Sequence, residues 1–301
     1  MGRRARCVVV AVLGTLMALP LAAQPNPDEV EVRVEPVAPG VWALFAAGGN
    51  VGVSAGDDGV VLVDDSYAPL TPKLLAALAT VSPRPVRFVL NTHWHGDHTG
   101  GNERLGEAGA VVVAHDNVRQ RLSTDQFIAQ FDMHVPASPP GALPVVTFAA
   151  GVTLHLNGDA LEVEHLPAAH TDGDAVVRWR TADVIHAGDL YFNGIYPLVD
   201  LSSGGSVDGL VAGVERLLEL AGEGTRIIPG HGPLAGREDL AGYLEMLRDV
   251  QARVAALVEA GRSREEALAA KPTAAWDEAW GGGFIGPDAF AGIVYDSLSG
   301  R

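Results

Sequence analysis

Apolar and polar residues alternate from Val30 to Val34, the period of a strand with one buried face, and apolar runs of strand length follow at 41–45, 51–54 and 60–64. Gly48-Gly49 and Asp57-Asp58-Gly59 separate these runs as turn signals, so the N-terminal third reads as antiparallel sheet. From Leu70 the texture changes. Residues 70–78 suit a helix, 86–90 and 110–114 suit buried strands, and 117–122 suits a short helix. Residues 131–144 hold Pro136, Pro139, Pro140 and Pro144 without periodicity, which predicts a long surface loop placed to cover a site. A second series of short strands is predicted at 145–148, 152–156, 161–165, 175–179 and 184–186. Leu210, Val211, Val214, Leu217 and Leu218 then line one helical face, and Leu240, Tyr243, Leu244, Leu247, Val250 and Val254 line another. An α/β chain in this order packs most naturally as two sheets with helices outside.

Composition narrows the possibilities. The chain has 301 residues, 48% of them hydrophobic, enough for one large core. Arg3, Arg4 and Arg6, the apolar stretch 8–19 and the small residues Leu21-Ala22-Ala23 read as a secretory signal over 1–23. Its apolar stretch is too short for the ~20 residues that span a bilayer. The expected organisation is therefore a signal peptide at 1–23 and one catalytic domain at 24–301, with a periplasmic or secreted mature chain that has no membrane span. Cys7, the single cysteine, falls inside that leader, so disulfides and thiolate metal sites are excluded from the mature chain. A formal net charge of −16 argues against nucleic acid or an anionic membrane as partner and leaves a small-molecule substrate.

The strongest chemical signal is Asn91-Thr92-His93-Trp94-His95-Gly96-Asp97-His98, directly after the apolar run 86–90. Alternate residues of an extended segment point the same way, so His93 and His95 can present their rings to one metal ion. Asp97 and His98 follow where the chain turns, and can face a second ion. Imidazole and carboxylate without thiolate suit zinc or another borderline divalent cation. His170, Asp189 and His231 each lie beyond a predicted strand in a glycine-containing turn, and can complete a two-metal site. His115, His134, His155, His165 and His186 are read as ordinary core or surface histidines. Thr92, Thr99, Asp172 and Asp174 are candidate supports for the ligands or simple turn residues. Tyr191, Phe192, Tyr196 and Trp94 lie near these motifs, but core packing is the default reading for aromatics.

The order His-x-His-x-Asp-His, His, Gly-Asp, Pro-Gly-His-Gly resembles the signature of the metallo-β-lactamase superfamily. The resemblance implies an αββα sandwich of two mixed sheets flanked by helices, with two zinc ions at one edge. It assigns His93, His95 and His170 to the first zinc, Asp97, His98 and His231 to the second, and Asp189 to a bridge. It also implies that Gly48-Gly49-Asn50-Val51-Gly52-Val53 lies near the metals. A metal-bridging hydroxide oriented by Asp97 is then expected to open a cyclic amide or ester carbonyl in a β-lactamase-like reaction. Asp189 stands where metallo-β-lactamases usually have cysteine or serine and where glyoxalase II and lactonases have aspartate, so a lactonase or thioesterase is the alternative. A zinc-binding accessory protein without turnover is the alternative of another class. A β-lactam would require a cation near His231, and Arg237 is the nearest candidate in sequence. A lipophilic acyl substrate would require an apolar groove near Tyr191 and Phe131.

Overall fold

The computed structural model describes residues 26–300, so the expected leader and Cys7 lie outside the described residues. The strands are β1 (Arg33–Ala38), β2 (Val41–Phe45), β3 (Val51–Gly56), β4 (Gly59–Val63), β5 (Val86–Leu90), β6 (Val111–His115), β7 (Gln126–Ile128), β8 (Met133–Val135), β9 (Val146–Phe148), β10 (Gly151–Leu156), β11 (Asp159–His165), β12 (Ala175–Trp179), β13 (Val184–His186) and β14 (Arg226–Ile228). The helices are α1 (Thr71–Val81), α2 (Gly96–Thr99), α3 (Asn102–Glu107), α4 (Asp116–Leu122), α5 (Val207–Leu220), α6 (Arg237–Glu259), α7 (Arg264–Ala269), α8 (Asp277–Trp280) and α9 (Pro287–Ser299).

One sheet runs β1-β2-β3-β4-β5-β6-β9 and the other β10-β11-β12-β13-β14. The hairpins β1 to β4 pair antiparallel, after which β5, β6 and β9 join in parallel. The second sheet is antiparallel up to β13, and β14 joins it in parallel. Both sheets are thus mixed.

Side-chain alternation sets the layers. Val61, Val63, Leu90 and Val113 face Val163, Val177, Val184 and Ile228 across the space between the sheets. Their neighbours Val60, Leu62, Val89 and Val112 point the other way, onto Leu74 and Leu78 of α1 and Leu105 of α3. On the second sheet Val176, Ile185 and Ile227 point outward against α5, α6 and α9. Strands buried on both faces read as near-continuous apolar runs, which is the texture of β4, β6 and β12. The result is the expected αββα sandwich.

Two local expectations are corrected. The first strand begins at Arg33, not Val30. Its register is set by pairing through the turn at Gly40, with Arg33 opposite Phe45 and Ala38 opposite Val41, so the five-residue β2 offers residues 30–32 no partner. The segment 131–144 is not wholly irregular, because Met133–Val135 forms β8 and pairs with β7. Only the proline-bearing remainder is loop, closed by a short turn at Pro140–Ala142. No helix among the described residues is long and apolar enough to cross a membrane.

Candidate metal centre

Strand β5 carries the chain out of the sheet, and the single turn α2, with His95 as its N-cap, bends it across the sandwich edge. His170 stands in the β11 to β12 connection, Asp189 in a tight turn after β13, and His231 after β14. These elements bring all seven expected ligands together. His93, His95, His170 and Asp189 form one buried group and Asp97, His98 and His231 an adjoining one, with the candidate ligand atoms of each group within 4.8 Å of one another.

The outer hydrogen bonds decide which ring nitrogens face inward. His93 Nδ1 lies 3.1 Å from Thr92 Oγ1, which itself donates to Asp64 Oδ2 at 2.7 Å, so Nδ1 is the donor. His95 Nε2 donates to Asp200 Oδ2 at 3.1 Å, and His170 Nδ1 donates to the Leu198 carbonyl at 2.8 Å. The remaining nitrogens are His93 Nε2, His95 Nδ1 and His170 Nε2, and they converge: His95 Nδ1 is 3.1 Å from the first and 2.9 Å from the last. Burial, first of all, holds His93 and His170 below the ordinary imidazole range, His170 at about 4. With their outer nitrogens engaged as donors, the three rings turn their inner nitrogens toward one point, an arrangement that calls for a cation.

Carboxylates surround His98 in the second group. His98 Nδ1 donates to Asp64 Oδ2 at 2.7 Å, and its Nε2 lies 3.1 Å from Asp189 Oδ1 and 3.6 Å from Asp97 Oδ2. Burial lowers the proton affinity of His98, but Asp189, Asp97 and Asp64 together outweigh it and raise the pKa well above the usual value, so the position favours positive charge. Asp189 sits between the groups. Its Oδ2 is 3.7 Å from His93, 3.5 Å from His170 and 3.4 Å from His231, each measured to Nε2, whereas Oδ1 turns to His98. Oδ1 is nevertheless buried without a hydrogen-bond partner. A buried anionic oxygen costs stability when unpaired, and a pair of borderline divalent cations fits this nitrogen and oxygen donor set.

The glycine loop closes over the second group as expected. Asn50 Nδ2 donates to the carbonyls of Pro229 and Gly232, at 2.8 and 2.9 Å, and so ties the loop to the His231 turn. A Cβ on Gly49 would meet the His98 ring at 2.3 Å, and one on Gly230 would meet Asp189 Oδ1 at 2.0 Å. His186 is a support here, donating to the Asn50 carbonyl at 3.1 Å.

Other expectations fare variously. Thr92 supports His93 as described, whereas Asp174 binds Thr171 and Asp172 forms a two-point pair with Arg121. Thr99 donates to backbone carbonyls within its own turn. Trp94, Tyr191 and Tyr196 are core residues, but Phe192 stacks on His231. Arg237 points away from the metals and caps the carbonyls of Leu218 and Ala221 at the end of α5. Phe131 is partly exposed beside the β7 to β8 hairpin, whereas Tyr191 is fully buried in the helical core. Asp64 and Asp200 escaped the sequence reading. Asp64 had a weak signal, a carboxylate pair ending the apolar run 60–63, and Asp200 had none.

A two-sheet sandwich with a histidine and aspartate cluster at its edge defines a class of metal-site folds. The sequence profile of the metallo-beta-lactamase superfamily matches residues 45–262, and the chain belongs to that superfamily. It is 26% identical over 207 residues to the 2,4-dinitroanisole O-demethylase subunit alpha of Nocardioides sp. (strain JS1661), covering 67% of this chain and 58% of the relative. It is 28% identical over 165 residues to a hydroxyacylglutathione hydrolase of Nitrosococcus oceani, covering 54% and 55%. The chain therefore spans a little over half the length of these curated relatives. Among solved structures, a metallo-beta-lactamase from Pontibacter korlensis superposes with a TM-score of 0.61 at 22% identity, over 73% of this chain and 100% of that one. A double mutant of the sec-alkyl sulfatase PisA1 gives 0.66 at 18% identity, over 88% and 50%.

Proposed function

We propose that the protein is an exported, dinuclear zinc hydrolase acting on an activated carbonyl, an ester, lactone or thioester ahead of a β-lactam. The observation that carries this reading is Asp189, one buried carboxylate whose Oδ2 faces His93, His170 and His231 and whose Oδ1 faces His98, so that it reaches both ligand groups. Bound zinc supplies Lewis acidity and brings the pKa of its water to about 7, so a nucleophile exists at neutral pH without serine or cysteine. The chain's own part is positional. Asp97 is the more exposed of the two carboxylates and can accept a proton of the attacking water at the rim, while Asp189 holds the two groups in register. The curated relatives named hydroxyacylglutathione hydrolases support the ester and thioester side. A β-lactam's carboxylate asks for a nearby cation, and Arg237 is engaged elsewhere. Export rests on the arginine-led leader pattern and is checked by N-terminal sequencing of the mature chain.

The test sets an aryl lactone, an acyl thioester and a chromogenic cephalosporin before the zinc-restored protein, with a chelator control. Chelator-sensitive turnover of the lactone or thioester is expected. Faster opening of the cephalosporin would make the protein a β-lactamase, and silence on all three would remove the hydrolase reading. Asp189→Ala is expected to lose zinc first and turnover with it; a variant that kept both would sink the bridging role.

A further inference from the structure

The rim of the site is aromatic on its His231 side. Phe192 stacks on the His231 ring with centroids 5.1 Å apart and planes 10° apart. Phe284 stands across the same ring at 5.6 Å and 62°, and lies 6.1 Å from Phe192. Phe192 is fully buried, whereas Phe284 is 52% exposed. An exposed phenyl group held against a polar cluster leaves apolar area in water that a ligand could cover.

Phe284 comes from Gly281-Gly282-Gly283-Phe284-Ile285-Gly286, between α8 and α9 and outside the superfamily match at 45–262. Its position is built. Tyr196 N donates to the Trp280 carbonyl at 2.9 Å at the start of the segment. A Cβ on Gly283 would stand 2.6 Å from Ile195 Cβ, so glycine is what lets the segment lie down on Ile195. Ile285, on the other side of Phe284, is buried in the helical core.

We propose that Phe284, with Phe192 beneath it, is a specificity-determining subsite that receives the apolar part of the substrate, best fitted by a flat aryl ring. The inference rests on the hydrolase reading above. On its His231 side the site offers a group attached to the reacting carbonyl an edge-to-face aromatic contact.

The experiment measures, for the zinc-loaded protein, the ratio of kcat/KM for 2-naphthyl acetate to that for methyl acetate. A fluorescence titration with 2-acetonaphthone, a neutral ketone that cannot be hydrolysed, gives a second readout. Phe284→Ala is expected to lower the ratio and weaken ketone binding by about tenfold each, with Phe284→Leu between and zinc content as in the wild type. Changes under about twofold in both would overturn the subsite. Loss of zinc from Phe284→Ala would overturn it too, making Phe284 a prop for His231. Ketone binding that depends on Phe284 without turnover of either ester would uphold the subsite while the hydrolase reading failed.

Discussion

At Asp64 three hydrogen bonds converge on one fully buried carboxylate: Thr92 N and Thr92 Oγ1, and His98 Nδ1, all at 2.7 Å. One side chain therefore orients a histidine of each ligand group. Asp64→Asn keeps the shape but removes the charge, and is expected to weaken zinc binding about 10–100-fold, read by competition with a chelating dye. Unchanged affinity would show that His98 is fixed by its other neighbours. Gly49→Ala places a methyl group into the His98 ring and should empty the Asp97, His98 and His231 group preferentially, seen as a drop in zinc stoichiometry. The seven candidate ligands were legible because polar residues at the ends of apolar strands are conspicuous. Asp64 and Asp200 were not, because their partners His98 and His95 lie 34 and 105 residues away and leave no local pattern.

Among the elements, the long apolar faces were the most readable. Leu210, Val214 and Leu217 of α5 and Leu240, Leu247, Val250 and Val254 of α6 all enter one core, as their helical spacing required. Leu247→Ala should lower unfolding free energy by about 2–5 kcal/mol in urea titration, since its side chain is buried and its truncation leaves a cavity in the core. A cost under about 1 kcal/mol would mean that this core relaxes freely. Short strands resisted reading for a physical reason. Three residues such as Met133-His134-Val135 cannot show a period, and β8 exists because β7 pairs with it. The last helix, α9, is buried without a break from Phe290 to Tyr295, with Ala291 and Gly292 among the buried positions, so no one-sided apolar stripe marks it in the sequence.

Over the whole molecule, acid sensitivity is expected from histidines kept neutral by the fold. His165 is held below the ordinary range by burial and by His115, whose ring stacks on it at 3.6 Å. The Asp174 carbonyl, accepting from Nδ1, and the Asp172 charge pull the other way. With the folded value depressed, the stabilisation is present above the unfolded value of 6.5 and is lost as pH falls through the folded one. Thermal stability should therefore decline less steeply from about pH 7 to about pH 5 in His165→Gln than in the wild type. Parallel declines would assign the acid limb to other groups.

The sheets also divide the chain in sequence. All strands of the first sheet precede Ala149 and all strands of the second follow Ala150. Each ligand group is split by that seam: His93 and His95 meet His170 and Asp189 across it, and Asp97 and His98 meet His231. Neither half owns a complete set of candidate ligands, so bound ions would act as rivets through two plates. A chain nicked between Ala149 and Ala150, its halves still joined by the apolar core between the sheets, should melt at a lower temperature under chelation than with zinc.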